Sequence, residues 1–506
     1  MNTRREFLRN ASMAAMGAVA GAHKVFAATP RDSVTIAYPV DVLNWDAIAF
    51  SSLQAMSLLK SMNAQPFTIS PTGSVEPELA TDFKWLGSDG LAFEVTLRDD
   101  VTFHNGDKLT SDDFKFTFLD RCKADKTLAL GAIWKPIVGI DTPSPTRAIV
   151  HLGTPMAAAK QRLAYTAAFI QPRKYFEQVG REEFLKRPIG AGPYRLVEYQ
   201  RDSRAVFEAY ENYWRGPAKI KRVTVDIVKD DTARVSAVQA GKADIAVNLP
   251  IREVERLGKA PGLTGLIKPT PDIYTIQMVN TGPWTDKNVR LAAHHAINKE
   301  ALSKAFFGGV APPIWTPSGP GTPAYAPDFK LEYSQAKAKS LLAASGYSPD
   351  KPVKVKFITT TGGGPSDYDI ARAIVQMWKA VGIDADLRAI DVSQFASLSM
   401  TNKLDAPCLY VWQNGMGDPS MYSGSMLHPD KPFSTWKSDD LREPLNKLEA
   451  ELDYEKRIGG YRDLDIWAAQ QGYSLTLLQS VSTTVYRKGL NFVPYNNGWM
   501  LPYDWS

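Results

Sequence analysis

The 506-residue chain has two cysteines, Cys122 and Cys408, too few for a disulfide framework. They read as free, small buried hydrophobes. Histidine is also scarce, with six residues at 23, 104, 151, 294, 295 and 428. None opens a His-Glu-x-x-His motif and no two stand at i, i+4, so a zinc hydrolase is poorly supported and no metal site is expected. Gly-x-Ser-x-Gly is missing, as is a phosphate loop ending Gly-Lys-Ser/Thr. An excess of one charge is lacking too: 59 Lys and Arg face 54 Asp and Glu. Residues 1–27 carry four of the basic groups and one acid, leaving 55 against 53 in the remaining chain. So balanced a body argues against nucleic-acid partners and polybasic membrane binding. No stretch reaches the ~18 uncharged apolar residues needed to span a bilayer.

What is present describes a globular protein. Apolar residues make up 44% and charged residues 22%, which excludes global disorder. At roughly 150 residues per domain, about three domains are expected. The 35 Gly and 34 Pro point to many turns, and the 12 Trp and 20 Tyr to an aromatic-rich surface or cleft. At the N-terminus, Thr3-Arg4-Arg5-Glu6-Phe7-Leu8-Arg9 is followed by a weakly apolar run from Ala11 to Ala22, then Val25-Phe26-Ala27. Residues 1–27 therefore read as a twin-arginine export signal, and the mature chain is expected to be soluble and periplasmic.

Periodicity predicts two α/β regions. In the first, strands are expected at 33–38, 93–98, 101–104, 194–200, 204–210, 221–228 and 244–247. Helices are expected at 51–62, 110–123 and 231–240, with Gly241 as a C-cap. In the second, helices at 286–305, 334–345 and 366–381 and one from Ser393 alternate with strands at 353–360, 383–390 and 409–412. Two such regions with long connections read as two lobes. The Pro-rich loop from Ala311 to Pro327 is long enough to be functional. Gly362-Gly-Gly364-Pro reads as a plain strand-to-helix turn, and His294-His295 as core histidines. No catalytic constellation emerges.

Several segments resemble the extracytoplasmic solute-binding protein family 5, the peptide/opine/nickel type that feeds ABC importers. The clearest runs from Leu97 to Phe114, Leu-Arg-Asp-Asp-Val-Thr-Phe-His-Asn-Gly-Asp-Lys-Leu-Thr-Ser-Asp-Asp-Phe. Gly190-Ala-Gly-Pro-Tyr194, Glu211-Asn-Tyr-Trp-Arg-Gly-Pro217, Gln239-Ala-Gly-Lys-Ala-Asp244, Val289-Arg-Leu-Ala292 with Ala296-Ile-Asn298, and Asp418-Pro419 also match its patterns. The resemblance implies an α/β two-lobe periplasmic-binding-protein fold, type II, cluster C, with a small α+β domain inserted in lobe I. The expected division is lobe I at 28–75, 186–272 and 488–506, the insertion at 76–185 and lobe II at 273–487. The hinge is expected near Ile273 to Asn280 and Ser480 to Tyr486.

The implied function is capture of a small solute between lobes that close on it and delivery to a membrane permease by a monomer, with no cofactor and no catalysis. Cleft residues should be aromatic anchors with a few polar groups, at strand C-termini. The candidates are Tyr38 and Trp45 in lobe I, with Trp315, Trp412, Gln413, Asn414, Gly415, Met416, Asp418 and Tyr422 in lobe II. Trp45 and Trp315 read equally well as packing, and Asp418 as a turn residue. Peptide-binding members usually hold the ammonium with an Asp four residues before the Pro of the Asp-Pro turn, where this chain has Gly415. The loop after 353–358 also lacks Arg or Lys, so a weakly charged or neutral, partly aromatic or hydroxylated solute is expected rather than an ordinary peptide. The competing readings are a secreted hydrolase using Asp367, Asp369 or Asp418, and a carrier or chaperone on the same scaffold.

Overall fold

The alternation of Ser33-Val-Thr-Ile-Ala-Tyr38 buries Val34 and Ile36, and this strand, β1, lies inside the largest sheet of the molecule. The computed structural model describes residues 32–506 apart from 43, 49–52, 125–127, 166 and 362. The export signal expected over residues 1–27 lies outside the described residues. After β1 come β2 (Phe67–Ile69), β3 (Val75–Pro77), β4 (Ala80–Trp85), β5 (Ala92–Leu97), β6 (Ile137–Ser144) and β7 (Arg147–Leu152). Next are β8 (Tyr194–Gln200), β9 (Arg204–Ala209), β10 (Arg222–Ile227), β11 (Ile245–Val247) and β12 (Leu263–Gln277). The last four are β13 (Val353–Thr361), β14 (Ile383–Asp391), β15 (Cys408–Trp412) and β16 (Ser474–Arg487).

Ten strands share one mixed sheet in the order β14-β13-β15-β12-β16-β11-β1-β10-β9-β8. Two crossing strands, β12 and β16, are long and antiparallel to each other and join its two halves. On one side β11, β1 and β10 run parallel, the β10–helix–β11 unit bringing β11 to the far edge of β1. On the other, β13, β14 and β15 run parallel. A separate antiparallel sheet, β4-β5-β7-β6, packs with the helical turns at 111–123 into the core of the first half. The second half has its own core around Trp378, Phe357 and Tyr461. This is the two-lobe periplasmic-binding-protein fold.

The register of β12 against β16 breaks between Pro269 and Ile273. Pro269 faces Val481 and Ile273 faces Gln479, so three residues on β12 oppose Ser480 alone. Proline cannot donate to a ladder, and Pro269 and Pro271 flank Thr270 at this point. The break lies just ahead of the first expected hinge segment and at the edge of the second.

Three expected elements differ. Residues 101–104 form only an isolated bridge, Thr102 to Lys108, because the amide of His104 donates to the Gly190 carbonyl rather than to a second strand. The single helix expected at 286–305 is two, Lys287–Ala296 and Lys299–Phe307, since Asn298 caps the second by accepting from the Ala301 amide. The helix expected at 110–123 is α-helical over Ser111–Lys115 and a π-helix over Phe116–Lys123.

Candidate ligand-binding cleft

Strand directions define where a solute can meet both lobes. β15 runs antiparallel to β12 and ends at Trp412 opposite Ile273, so the carboxyl ends of β13, β14 and β15 point to the break in β12. In the first lobe β11 ends at Val247 opposite Thr484, and β1, parallel to it, ends at Tyr38. The carboxyl ends of both half-sheets thus converge on one crossing. In open α/β sheets that crevice is where ligands bind.

Around it the structure assembles part of the expected set. Trp412, half-buried, lies edge-on to Tyr422, Phe433 and Tyr410, with ring centroids 6.0, 6.2 and 6.3 Å away. Tyr422 is buried, its hydroxyl 3.0 Å from Thr275 Oγ1. Gln413 is half-buried and Asn414 is buried, the Asn414 amide donating to Asp272 Oδ1 at 2.8 Å. Gly415 reaches the other lobe: its carbonyl accepts from Asn497 Nδ2, and a β-carbon there would lie 2.4 Å from Tyr165 Oη. Met416 is buried and belongs to the core cluster of the first lobe, which also holds Trp499.

The other candidates have packing, hydrogen-bonding or capping partners of their own. Trp45 is buried and packs edge-on against Tyr199 and Phe207 at 5.2 and 5.9 Å. Tyr38 is buried at the end of β1, hydrogen-bonded to the Ser57 side chain, and burial pushes its hydroxyl far up. Trp315 donates to the Leu331 carbonyl and stands between Lys299 and Lys330, 5.2 and 5.4 Å from its ring centre. Asp418 caps the turn at Ser420, and both its oxygens accept from Arg457 at 2.9 and 2.7 Å. Hydrogen bonds from Arg457 and Ser420 outweigh the burial and hold its carboxyl below the usual range.

The carboxylates weighed for hydrolysis are committed elsewhere. Asp367 accepts from the amides of Gly363 and Tyr368, which also answers for the glycine turn, and Asp369 is exposed beside Arg372.

Three residues at this crossing were missed: Tyr165, Asn497 and Asp272. Asp272 lies in the break of β12 and is 6% exposed, and burial pushes its carboxyl up to about 7. A lone Asp between Pro271 and a β-branched run carries no local signature. Its neighbour Asn414 stands 142 positions away.

Residues 74–434 match the model of the bacterial extracellular solute-binding proteins, family 5. The chain belongs to that family. It is similar to the glutathione-binding protein GsiB of Salmonella typhimurium, 27% identical over 403 residues, covering 78% of this chain and 76% of that protein. It is also similar to the nickel-binding protein NikA of Staphylococcus aureus, 24% identical over 395 residues and 77% of each. Among solved structures, the ABC transporter substrate-binding protein CtaP of Listeria monocytogenes superposes with a TM-score of 0.82 at 21% identity, over 94% of this chain and 98% of that one. The protein is a family 5 solute-binding protein.

Proposed function

We propose that this chain is the periplasmic receptor of an ABC importer, exported by the twin-arginine signal of residues 1–27, that encloses a small solute by hinge closure and presents it to the permease as a monomer. The observation that carries the reading is the convergence of both half-sheets' carboxyl ends on a broken crossing, with Gly415 and Met416 of one lobe seated against the other. Solute contacts made to both lobes favour the closed form, and only such differential contact shifts the equilibrium. Lobe I comprises 28–75, 186–272 and 488–506, the insertion 76–185 and lobe II 273–487. Trp412 and Tyr422, with Gln413 and Asn414, face the solute, while Gly415 and Met416 close over it; Tyr38, Trp45, Trp315 and Asp418 support the walls.

The family relatives include proteins named for glutathione and for nickel, so membership leaves the solute class open. A thermal-shift screen of the purified protein against peptides, opines, sugars and metal chelates tests the reading, because a solute that binds the folded state raises its melting temperature. A stabilising solute should also reduce the radius of gyration in small-angle scattering. Turnover of a screened compound, abolished by replacing one acid, would replace the receptor reading with an enzymatic one.

A further inference from the structure

The break in β12 holds more unmet hydrogen-bonding capacity than a structural hinge requires. Asp272 is buried there, and the Asn414 amide supplies the one hydrogen bond its carboxylate receives among the described residues; no Lys, Arg or His pairs with it. A carboxylate taken from water without a cation is expensive, and proteins normally compensate such a group. Beside it, two more acceptors are buried without partners: Thr270 Oγ1, two residues back in the same break, and Asn414 Oδ1, on the residue bonded to Asp272. Both residues are more than nine-tenths buried. The rings of Tyr410 and Trp412 end the adjacent strand, Trp412 in register with Ile273.

We propose that Asp272 anchors a positively charged organic nitrogen of the solute, an ammonium or amidinium whose N–H groups face the Asp272 carboxylate, Asn414 Oδ1 and Thr270 Oγ1. The Asp272 carboxylate, buried without a cation, and the aromatic faces beside it suit such a cation. Trp412 Nε1, a buried N–H without a partner in the same cluster, would serve an oxygen elsewhere on the solute. The inference rests on the receptor reading above. It departs from the expectation of a weakly charged or neutral solute, because the acid lies in the β12 break rather than in the loops after β13 and β15. Within that frame a monocationic solute satisfies Asp272.

The position adds a consequence for closure. Asp272 belongs to the segment that must rearrange when the lobes move, and Asn414 to the segment that meets Tyr165 and Asn497 across the cleft. A cation held by both ties binding directly to the closed geometry.

The test uses matched probes at pH 8: benzylamine with benzyl alcohol, phenethylamine with 2-phenylethanol, and butane-1,4-diamine with butane-1,4-diol. The expected result is a melting-temperature rise with at least one amine and none with its alcohol. Titration calorimetry of that amine with Asp272→Asn should show affinity reduced roughly 30-fold or more. Asparagine retains an oxygen to accept from the Asn414 amide, so a folded variant is expected, and circular dichroism confirms it. Equal response to amine and alcohol, unchanged affinity in the variant, or no response to any amine at millimolar concentration overturns the proposal. Native mass spectrometry of the protein purified from the periplasm separates this failure from failure of the receptor reading. A bound neutral or anionic solute leaves the receptor standing and removes the cation anchor. A retained nitrogenous cation that Asp272→Asn releases supports both.

Discussion

Tyr165 and Gly415 approach so closely that a single methyl group at 415 would overlap the phenol: its carbon would lie 2.4 Å from Oη and 2.8 Å from the ring. Tyr165 belongs to the first lobe's core and stacks near Trp499 at 6.1 Å, whereas Gly415 follows β15 of the second lobe. The contact therefore bridges the two lobes. It also leaves no room for an acidic side chain at the position where peptide-binding relatives were expected to carry one.

Gly415→Ala should therefore bias the protein toward an open form without harming either core. Small-angle scattering of the solute-bound variant is expected to show a larger radius of gyration than wild type, with weaker binding. Pairing it with Tyr165→Ala should restore closure. A compact, tightly binding single variant would show that Tyr165 yields easily.

Trp412 and Trp45 should respond differently to truncation. Trp412 is half-buried at the cleft, so Trp412→Ala is expected to weaken solute binding by about 2 kcal/mol or more while leaving the melting temperature nearly unchanged. Trp45 is buried against Tyr199 and Phe207, so Trp45→Ala should destabilise the fold by about 3–5 kcal/mol. Calorimetry and chemical denaturation distinguish the two outcomes, and reversed effects would exchange their roles.

Two buried acids should make the solute-free protein less stable as pH rises. Burial pushes Asp272 and Asp465 each up to about 7, above the usual carboxylate value. Between about pH 4 and 7 the unfolded chain has released these protons while the folded protein keeps them. Stability thus falls with rising pH, by up to about 1.4 kcal/mol per unit for each group. Around Asp272 the titratable neighbours are Tyr274 and Tyr410, both pushed up and so neutral throughout. Around Asp465, Ser423 donates to the carboxylate and the neighbouring Tyr422 hydroxyl is likewise pushed up by burial. Asp272→Asn should be more stable than wild type at pH 8 and indistinguishable from it near pH 4. Denaturant midpoints across that range check the sign.

Replacing Arg4 and Arg5 together by Lys should prevent export through the twin-arginine route. Fractionation of cells expressing this double variant is expected to find the protein retained in the cytoplasm, and an unchanged periplasmic yield would refute the assignment of the signal.

What could be read from the residues in advance was local. The alternation in Ser33–Tyr38 and the acid at Asp231, where the helix was expected to start and which Asp230 precedes as the cap accepting from Ala233, announce their elements within a few positions. The apolar period of 286–307 continues smoothly past Asn298, so the break there is visible only as a cap. Strands β12 and β16 were harder to see. Prolines interrupt β12, and their pairing joins positions over 200 residues apart, such as Pro269 and Val481. The cleft follows the same rule. Trp412 stood out because it ends an apolar strand beside polar residues, while Asp272 gains its meaning only from the strand that arrives alongside it.

The unequal lengths of the two crossing strands give the motion a direction. Between its paired neighbours β12 holds two residues more than β16. At roughly 3.3 Å per extended residue these amount to about 7 Å of extra chain on one edge of the seam, with a single extra residue, Leu477, on the other edge just beyond it. If the lobes part here, the shorter edge at Ser480 would serve as the pivot and the longer edge would lengthen, so that opening would be a lopsided swing that draws Asp272 away from Asn414. Removing Thr270 and Pro271 would preserve the pleat phase, because two residues are one full repeat, yet would weld the seam shut at a single angle.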